Sequence, residues 1–383
     1  MKWRTSTLGE IAKRDGGLIQ TGPFGSQLHQ SDYTPEGVPV VMPKDIADGR
    51  ISVESVALVS EETVIRLERH KLKPRSIVLP RRGEITKRAF IRSEQENWLC
   101  GTGCLKIELG GKELIPEYLY YFMEQGHVVQ WLLQHAVGTT MLNLSAGIVA
   151  DLPILYPAIE TQAAIASILS TYDNLIENNR RRMALLEEAA RQVYQEWFVR
   201  LRFPGHEHTR IVDGVPEGWE RKKLRDCLTL NYGKALKADI RVDGPFPVYG
   251  SSGIVGSHEK ALVPGPAIIV GRKGNVGSVF WSAKDFYPID TVYFINAEAS
   301  SFYLYYALKN MHFINTDVAV PGLNRDFAYS RELLIPQQKI LRSFIETVAP
   351  MHDQMNKLEE MNQKLRTARD LLLPKLMSGE ISV

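Results

Sequence analysis

Two stretches of the 383-residue chain carry apolar stripes too long for an ordinary helix of a globular domain. In the first, Ile165, Leu169, Tyr172, Ile176, Asn179, Met183, Leu186, Ala190, Val193 and Trp197 follow an unbroken 4-3-4-3 spacing. That spacing is the a/d seam of a heptad repeat. In the second, Leu341, Phe344, Val348, Met351, Met355, Leu358, Asn362 and Leu365 do the same, and Leu372 and Leu376 continue it past Arg369. At 1.5 Å per residue each helix is expected to run about 60 Å. Neither stripe can be satisfied by water, and the nearest partner for each is the other. The pattern therefore predicts an intramolecular antiparallel coiled coil spacing two globular domains. Asn179 takes a d position and Asn362 an a position. In an antiparallel pair a faces d, so the two amides either meet and fix the register or point to solvent. A buried polar pair lowers stability while excluding slipped alignments.

Each stripe closes one of two halves that repeat each other. Trp3-Arg4-Thr5-Ser6-Thr7-Leu8 opens the first half and Trp219-Glu220-Arg221-Lys222-Lys223-Leu224 the second. A Gly/Pro turn follows: Thr21-Gly22-Pro23-Phe24-Gly25-Ser26-Gln27-Leu28, and in a looser match Gly244-Pro245-Phe246-Pro247. Ser76-Ile77-Val78-Leu79-Pro80-Arg81-Arg82-Gly83 reads as an apolar strand ending in a basic turn, answered by Ala267-Ile268-Ile269-Val270-Gly271-Arg272-Lys273-Gly274. Tyr118-Leu119-Tyr120-Tyr121 is matched by Tyr303-Leu304-Tyr305-Tyr306. Leu142-Asn143 and Leu323-Asn324 each precede a proline-containing strand, Leu152-Pro153-Ile154 and Leu334-Ile335-Pro336. A period of about 180 residues is domain duplication rather than a solenoid. Within each half, period-two alternation broken by Gly and Pro predicts a small mixed domain of the α/β or α+β class, with the Tyr-rich segment as a helix beneath the strands. The expected boundaries are 1–157 for the first domain, 158–200 for the first long helix, 201–217 for a linker without hydrophobic period, 218–336 for the second domain and 337–378 for the second helix. The whole is a pseudo-twofold internal repeat.

Charge narrows the class of partner. The net charge is +2, yet from Arg66 to Arg92 ten Lys or Arg face only Glu68 and Glu84, leaving +8. From Trp219 to Lys284 eleven basic residues face five acidic ones, leaving +6, whereas the first long helix, Ile159 to Val199, has four basic and six acidic residues, −2. Two basic islands in corresponding halves favour a polyanion, most simply nucleic acid. No run approaches about 18 apolar residues, and Met1-Lys2-Trp3-Arg4 lacks the apolar stretch of a signal peptide, so a cytoplasmic protein without a membrane segment is expected. Cys100, Cys104 and Cys227 fit a reducing compartment. Cys100 and Cys104 read as buried thiols, since no second Cys or His pair stands at ligand spacing, and His206 and His208 read as loop residues. Catalytic motifs are missing. There is no Gly-x-x-x-x-Gly-Lys followed by Ser or Thr, Gly101-Thr102-Gly103 lacks a third glycine, and no Pro-Pro pair forms a methyltransferase turn. Ser26 is not in a nucleophile elbow. Neither catalysis nor a cofactor is expected of the chain itself.

In order and spacing, these motifs resemble the specificity subunit of type I restriction–modification systems. The marks are Thr21-Gly22-Pro23-Phe24-Gly25-Ser26, then Leu142-Asn143 leading to Leu152-Pro153-Ile154 and Gln162. Trp197-Phe198-Val199 running into Arg202-Phe203-Pro204-Gly205, and Pro216-Glu217-Gly218-Trp219, complete them. The resemblance spans essentially the whole chain. It departs at Glu160-Thr161-Gln162 and Pro336-Gln337-Gln338, which replace the usual Ala-Glu-Gln entry to the helix. It implies two target-recognition domains that bind an asymmetric, bipartite double-stranded DNA target. It also implies two methylase subunits, which bind S-adenosylmethionine and methylate adenine N6, and restriction/translocase subunits. The rival readings are a coiled-coil adaptor that ignores DNA, and a specificity subunit of a methylation-only or phage-exclusion system.

The DNA contacts expected in the first domain are the turn Pro23, Phe24, Gly25, Ser26 and Gln27 and the basic residues Arg81, Arg82, Lys87 and Arg88. Thr139, Thr140 and Asn143 are secondary candidates. In the second domain they are Ser251, Ser252, Arg272, Lys273, Asn275, Asn324 and Arg325. Arg and Lys suit guanine N7/O6, and Asn and Gln suit adenine N7/N6, each bidentate pair discriminating by about 1–3 kcal/mol. The expected seam of the coil is Leu169, Tyr172, Ile176, Asn179, Met183 and Leu186 against Val348, Met351, Met355, Leu358, Asn362 and Leu365. A shaft of about 60 Å reaches less than two turns of duplex at 3.4 Å per base pair. Arg180-Arg181-Arg182 and Glu187-Glu188 on its back are charged handles for partner subunits, or a solvated flank.

Overall fold

A computed structural model of the protein describes residues 3–53, 56–139, 141–313 and 322–383. The chain divides into two compact units, Met1–Ile176 with Gln363–Val383, and Glu177–Asn362.

In the first unit, strand Arg4–Thr7 runs antiparallel to Pro153–Tyr156, tying the start of the half to its end. Helix Leu8–Asp15 follows because Thr7 and Glu10 form a capping box and Gly16, at φ 69°, closes the other end. The main sheet is antiparallel, in the order Leu18–Thr21, Cys104–Glu108, Ile77–Pro80, Ala89–Phe90. All four residues of Ile77–Pro80 are buried, which is why that segment reads as a continuous apolar run rather than an alternation. A second sheet has the order Leu99–Cys100, Val38–Val41, Ala57–Val59, Tyr33–Thr34, its first pair parallel. The Tyr-rich segment is the helix Pro116–Phe122, whose Tyr118 hydroxyl donates to the Leu155 carbonyl at 3.2 Å.

The second unit repeats this plan. Glu220–Lys223 pairs antiparallel with Glu332–Ile335. The main sheet runs Asn231–Tyr232, Val292–Ile295, Ala267–Gly271, Val279–Ser282. A smaller sheet runs Gly253–His258, Phe246–Gly250, Tyr287–Pro288, with the last pair parallel. The helix Phe302–Lys309 takes the place of Pro116–Phe122, and Tyr303 again donates to a strand carbonyl, that of Leu334.

Hydrogen bonds at landmarks fix the internal alignment and correct two pairings expected from sequence. Gly22 N–H donates to the Cys104 carbonyl at 2.9 Å and Gly233 N–H to the Val292 carbonyl at 3.2 Å, each at the start of the equivalent strand. The counterpart of the Gly22-Pro23-Phe24 turn is therefore Gly233-Lys234-Ala235. Gly244-Pro245-Phe246-Pro247 instead enters Phe246–Gly250, the equivalent of Val38–Val41. Likewise Leu144 N–H donates to the Arg81 carbonyl and Leu323 N–H to the Arg272 carbonyl, both at 2.8 Å. Asn324 thus matches Ser145, not Asn143; both side chains cap the short helices that follow.

The long helices are Ile159–Tyr194, finished by a π turn at Gln195–Val199, and Gln338–Ser378. They run antiparallel within each unit. In the first unit Ile165 and Leu169 join Leu373, Leu376 and Met377 in one core, and Arg369 pairs with Asp173 at 2.5 Å. In the second unit Ala190, Tyr194 and Phe198 join Ile340, Phe344 and Val348. Leu169, Ile176, Asn179, Val348, Leu358 and Asn362 are buried; Tyr172, Met183, Leu186, Met351, Met355 and Leu365 are half-buried. Asn179 Nδ2 donates to Asn362 Oδ1 at 2.9 Å, so the two amides meet inside the second unit rather than in solvent. After Ala190 burial leaves the heptad phase for Tyr194 and Phe198, with Val193 and Trp197 only half-buried. The π turn is where the helix widens to seat Phe198 against Tyr303, Phe344 and Trp219.

Residues 201–217 are not featureless. Ile211–Val212 and Val215–Pro216 form a hairpin around Asp213-Gly214, at φ 50° and 72°. Phe203 is buried against Trp219, ring centroids 4.7 Å apart. Asp-Gly is among the strongest short hairpin signals.

Candidate nucleic-acid interface

In the first unit the end of the buried strand Ile77–Pro80 delivers Arg81 and Arg82 into a turn. Beside it lies the turn that follows Leu18–Thr21. Gly22 is required there, since a Cβ would stand 2.1 Å from the Gly101 carbonyl oxygen. Pro23 is buried, whereas Phe24, Gly25 and Ser26 are exposed. Gln27 holds the turn: its Oε1 accepts the Phe24 N–H at 3.1 Å and its own N–H donates to the Phe24 carbonyl at 2.8 Å. The Arg81 guanidinium lies over the Phe24 ring, 5.4 Å from its centroid. Arg82 is exposed and bridges by backbone to Asn143, which in turn exchanges two backbone hydrogen bonds with Val137. Asn143 Oδ1 is buried without a donor among the described residues. Thr139 is exposed on the same loop; Thr140 lies outside the described residues.

Two first-unit candidates are paired with carboxylates. Arg88 is buried, donates from Nε to the Tyr120 carbonyl at 3.0 Å and pairs with Glu124 at 3.0 Å, so its charge serves the interior. Lys87 pairs with Glu84. The +8 run is also less basic in space than in sequence. Arg66 pairs with Asp32, Lys71 with Glu68, Lys73 with Glu108 and Arg75 with Glu117. Among the described residues Arg69, Arg81, Arg82 and Arg92 are left without a carboxylate.

The second unit builds the corresponding face from Ala267–Gly271. Arg272 and Lys273 both donate their backbone N–H to the Thr291 carbonyl, at 2.8 and 3.1 Å. Ser251 is buried, its carbonyl accepting from Ser278 Oγ at 2.6 Å, while exposed Ser252 accepts from Asn275 Nδ2 at 3.3 Å. Asn324 spends its Oδ1 on the N–H groups of Asp326 and Phe327 as a helix cap. Arg272 lies 5.2 Å from the Tyr232 ring centroid and 5.8 Å from that of Tyr293; exposed Arg325 lies 5.3 Å from Tyr232. Burial beside Tyr232 pushes the Tyr293 hydroxyl up to about 12. Among the described residues no carboxylate pairs with Arg272, Lys273 or Arg325.

Tyr232, which lies beside Arg272 and Arg325, and exposed Lys234 two residues on are candidates that the sequence reading did not name. The signal was Tyr232-Gly233, since a Cβ on Gly233 would stand 2.0 Å from the Ile289 carbonyl oxygen, the same close approach that Gly22 makes. Among the described residues no group of three or more His, Cys, Asp or Glu stands at metal-binding distance, and no helix is long and apolar enough to cross a membrane. Cys100 and Cys104 are buried, and burial pushes the Cys100 thiol up to about 12.

A family model described as the type I restriction modification DNA specificity domain matches residues 1–188 and again residues 216–360. The chain belongs to this family. Its function is DNA target specificity in type I restriction–modification. Among curated relatives of this specificity subunit, the MjaIX specificity subunit of Methanocaldococcus jannaschii is 27% identical over 303 residues, covering 70% of either chain. The HindI specificity subunit of Haemophilus influenzae is 22% identical over 384 residues, covering 76% of this chain and 83% of that one. The crystal structure of a type I restriction–modification S subunit from M. genitalium shares the fold at a TM-score of 0.54 and 18% identity, covering 98% of this chain and 96% of that one.

Proposed function

We propose that this specificity subunit reads an asymmetric, bipartite duplex target, one half-site for each unit, and is itself non-catalytic. The observation that carries the reading is the same turn-and-strand face built twice with different side chains: Phe24, Arg81 and Arg82 in one unit, Tyr232, Arg272, Lys273 and Arg325 in the other. Guanidinium and ammonium groups with no carboxylate partner supply the salt-dependent attraction to phosphate, and side chains at the turns supply base readout. Two unlike faces call for two unlike half-sites.

On this reading the recognition domains correspond to 1–157 and 218–336, and the helices 158–200 and 337–378 set the unread spacer. Two methylase subunits using S-adenosylmethionine, and restriction/translocase subunits, supply the chemistry in the cytoplasm. The deciding measurement is the map of methylated bases in the host genome with and without the gene. Loss of one bipartite motif with unlike halves is the expected result; an unchanged map, or loss of a palindromic motif, sinks the proposal. Purified chain with DNA, S-adenosylmethionine and Mg²⁺ is expected to be inert.

A further inference from the structure

The two faces share one device. Arg81 and Arg272 occupy the same place, the first residue after the buried central strand, and each lies over an aromatic ring supplied near the end of the sheet's first strand: Phe24 from the turn after Leu18–Thr21, Tyr232 from the last position of Asn231–Tyr232. Phe24 is 54% exposed and Tyr232 51%, so both rings stand at the surface with the guanidiniums beside them. In both arginines Nε is buried without an acceptor among the described residues. Neither has a carboxylate partner there; Arg81 has the Phe24 ring beside it, and Arg272 the rings of Tyr232 and Tyr293. In the second unit Arg325 also lies 5.3 Å from the same ring, so two like charges are held around Tyr232.

A guanidinium whose Nε is packed away has its two Nη groups as the remaining donors. That end-on pair of parallel N–H bonds matches O6 and N7 of guanine in the major groove. We infer that Arg81 and Arg272 each read a guanine, one per half-site, and that Phe24 and Tyr232 are positioning residues that hold the guanidiniums by their ring faces. The inference rests on the DNA-recognition reading above and adds to it which residue reads which base. The equivalent of Arg325 in the first unit is Ala146, so the two halves keep the guanine contact in common and differ around it.

The test uses the full chain, assembled with its methylase subunits, and the duplex mapped from the genome. Each guanine in turn is replaced by 7-deazaguanine, which removes the N7 acceptor and little else. In the wild type one guanine in each half-site is expected to matter by about tenfold or more in affinity. Arg81→Gln should abolish the penalty in one half-site and Arg272→Gln that in the other, each leaving the opposite half-site's penalty intact. Tyr232→Phe and Phe24→Tyr should keep the discrimination, whereas Tyr232→Leu and Phe24→Leu should lose it while binding to unrelated duplex and its salt dependence persist. That persistence also shows that the variants are folded. If each Arg variant weakens all duplexes alike, flattens the salt slope by about one and leaves both deaza penalties in place, the arginines touch phosphate and the inference is overturned. A wild type that does not prefer the mapped duplex to a scrambled one removes the recognition reading itself.

Discussion

Arg82 and Arg88 stand six residues apart in one basic run, yet they do different work. Arg82 is exposed at the strand end with no carboxylate among the described residues. Arg88 is 9% exposed, bonded to the Tyr120 carbonyl and Glu124, and lies over the Tyr120 ring at 5.0 Å. Arg82→Ala is expected to leave the melting temperature within a degree or two and to weaken duplex binding at all sequences, with a shallower salt dependence. Arg88→Ala should cost about 2–3 kcal/mol of stability, because Glu124 loses a buried partner and a packed stem is deleted. Calorimetry and binding titrations on both variants decide the matter; equal loss of affinity without loss of stability would contradict the assignment of Arg88. Gly22 belongs with them. A methyl group there meets the Gly101 carbonyl oxygen at 2.1 Å, and the next nearest atoms are also backbone, of Cys100 and Gly101, so no flexible side chain can give way. Gly22→Ala is therefore expected to lower the melting temperature by several degrees and to disorder the Phe24 turn, read as loss of binding at one half-site only.

At the level of elements, the seam between the long helices is apolar but for one buried pair of amides. Asn362 is fully buried and Asn179 nearly so; their single hydrogen bond leaves Asn362 Nδ2 without an acceptor among the described residues. Substituting one partner strands the other amide in an apolar seam, at about 1–3 kcal/mol. Substituting both with Leu removes two desolvated polar groups together. Asn362→Leu should thus melt below the wild type, and the double variant Asn179→Leu/Asn362→Leu at or above it, while losing the penalty against slipped pairings. A double variant less stable than either single one would show that the pair stabilises the fold outright. The heptads were legible because their period of 3.5 is written in the order of residues alone. The drift to Tyr194 and Phe198 was not, because it depends on rings brought in by Phe302–Lys309 and Gln338–Ser378. The Asp213-Gly214 hairpin was written in the chain and passed over for want of flanking alternation.

For the molecule as a whole, duplication was legible in Tyr118-Leu119-Tyr120-Tyr121 and Tyr303-Leu304-Tyr305-Tyr306, where both copies keep the same buried hydroxyl bonds. The candidate recognition faces were harder to read. A linear count of charge cannot see Asp32, Glu108, Glu117 and Glu124 arriving from distant elements to neutralise Arg66, Lys73, Arg75 and Arg88. Nor can it see Tyr232 arriving under Arg272. The same tertiary burial is expected to make the fold acid-sensitive in both units. His70 is pushed down to about 4 by burial and then by Arg69 and Lys106. His352 is pushed down to about 4 by burial, with Lys309 adding to the effect and Glu187 and Asp353 opposing it; its Nε2 meets the Tyr306 hydroxyl at 2.9 Å and its ring stacks on Phe302. Both imidazoles stay neutral in the folded chain down to about pH 4, whereas in the unfolded chain they take up a proton near 6.5. The unfolded state therefore binds more protons between those values, and stability falls as the pH falls from 6.5 toward 4, by up to about 3 kcal/mol for each residue. Melting temperatures measured from pH 7.5 to pH 5 should decline, and His352→Phe, which keeps a ring against Phe302, should flatten the decline in the transition of the second unit while leaving that of the first. A slope unaltered by His352→Phe would place the acid sensitivity elsewhere and remove His352 from the account.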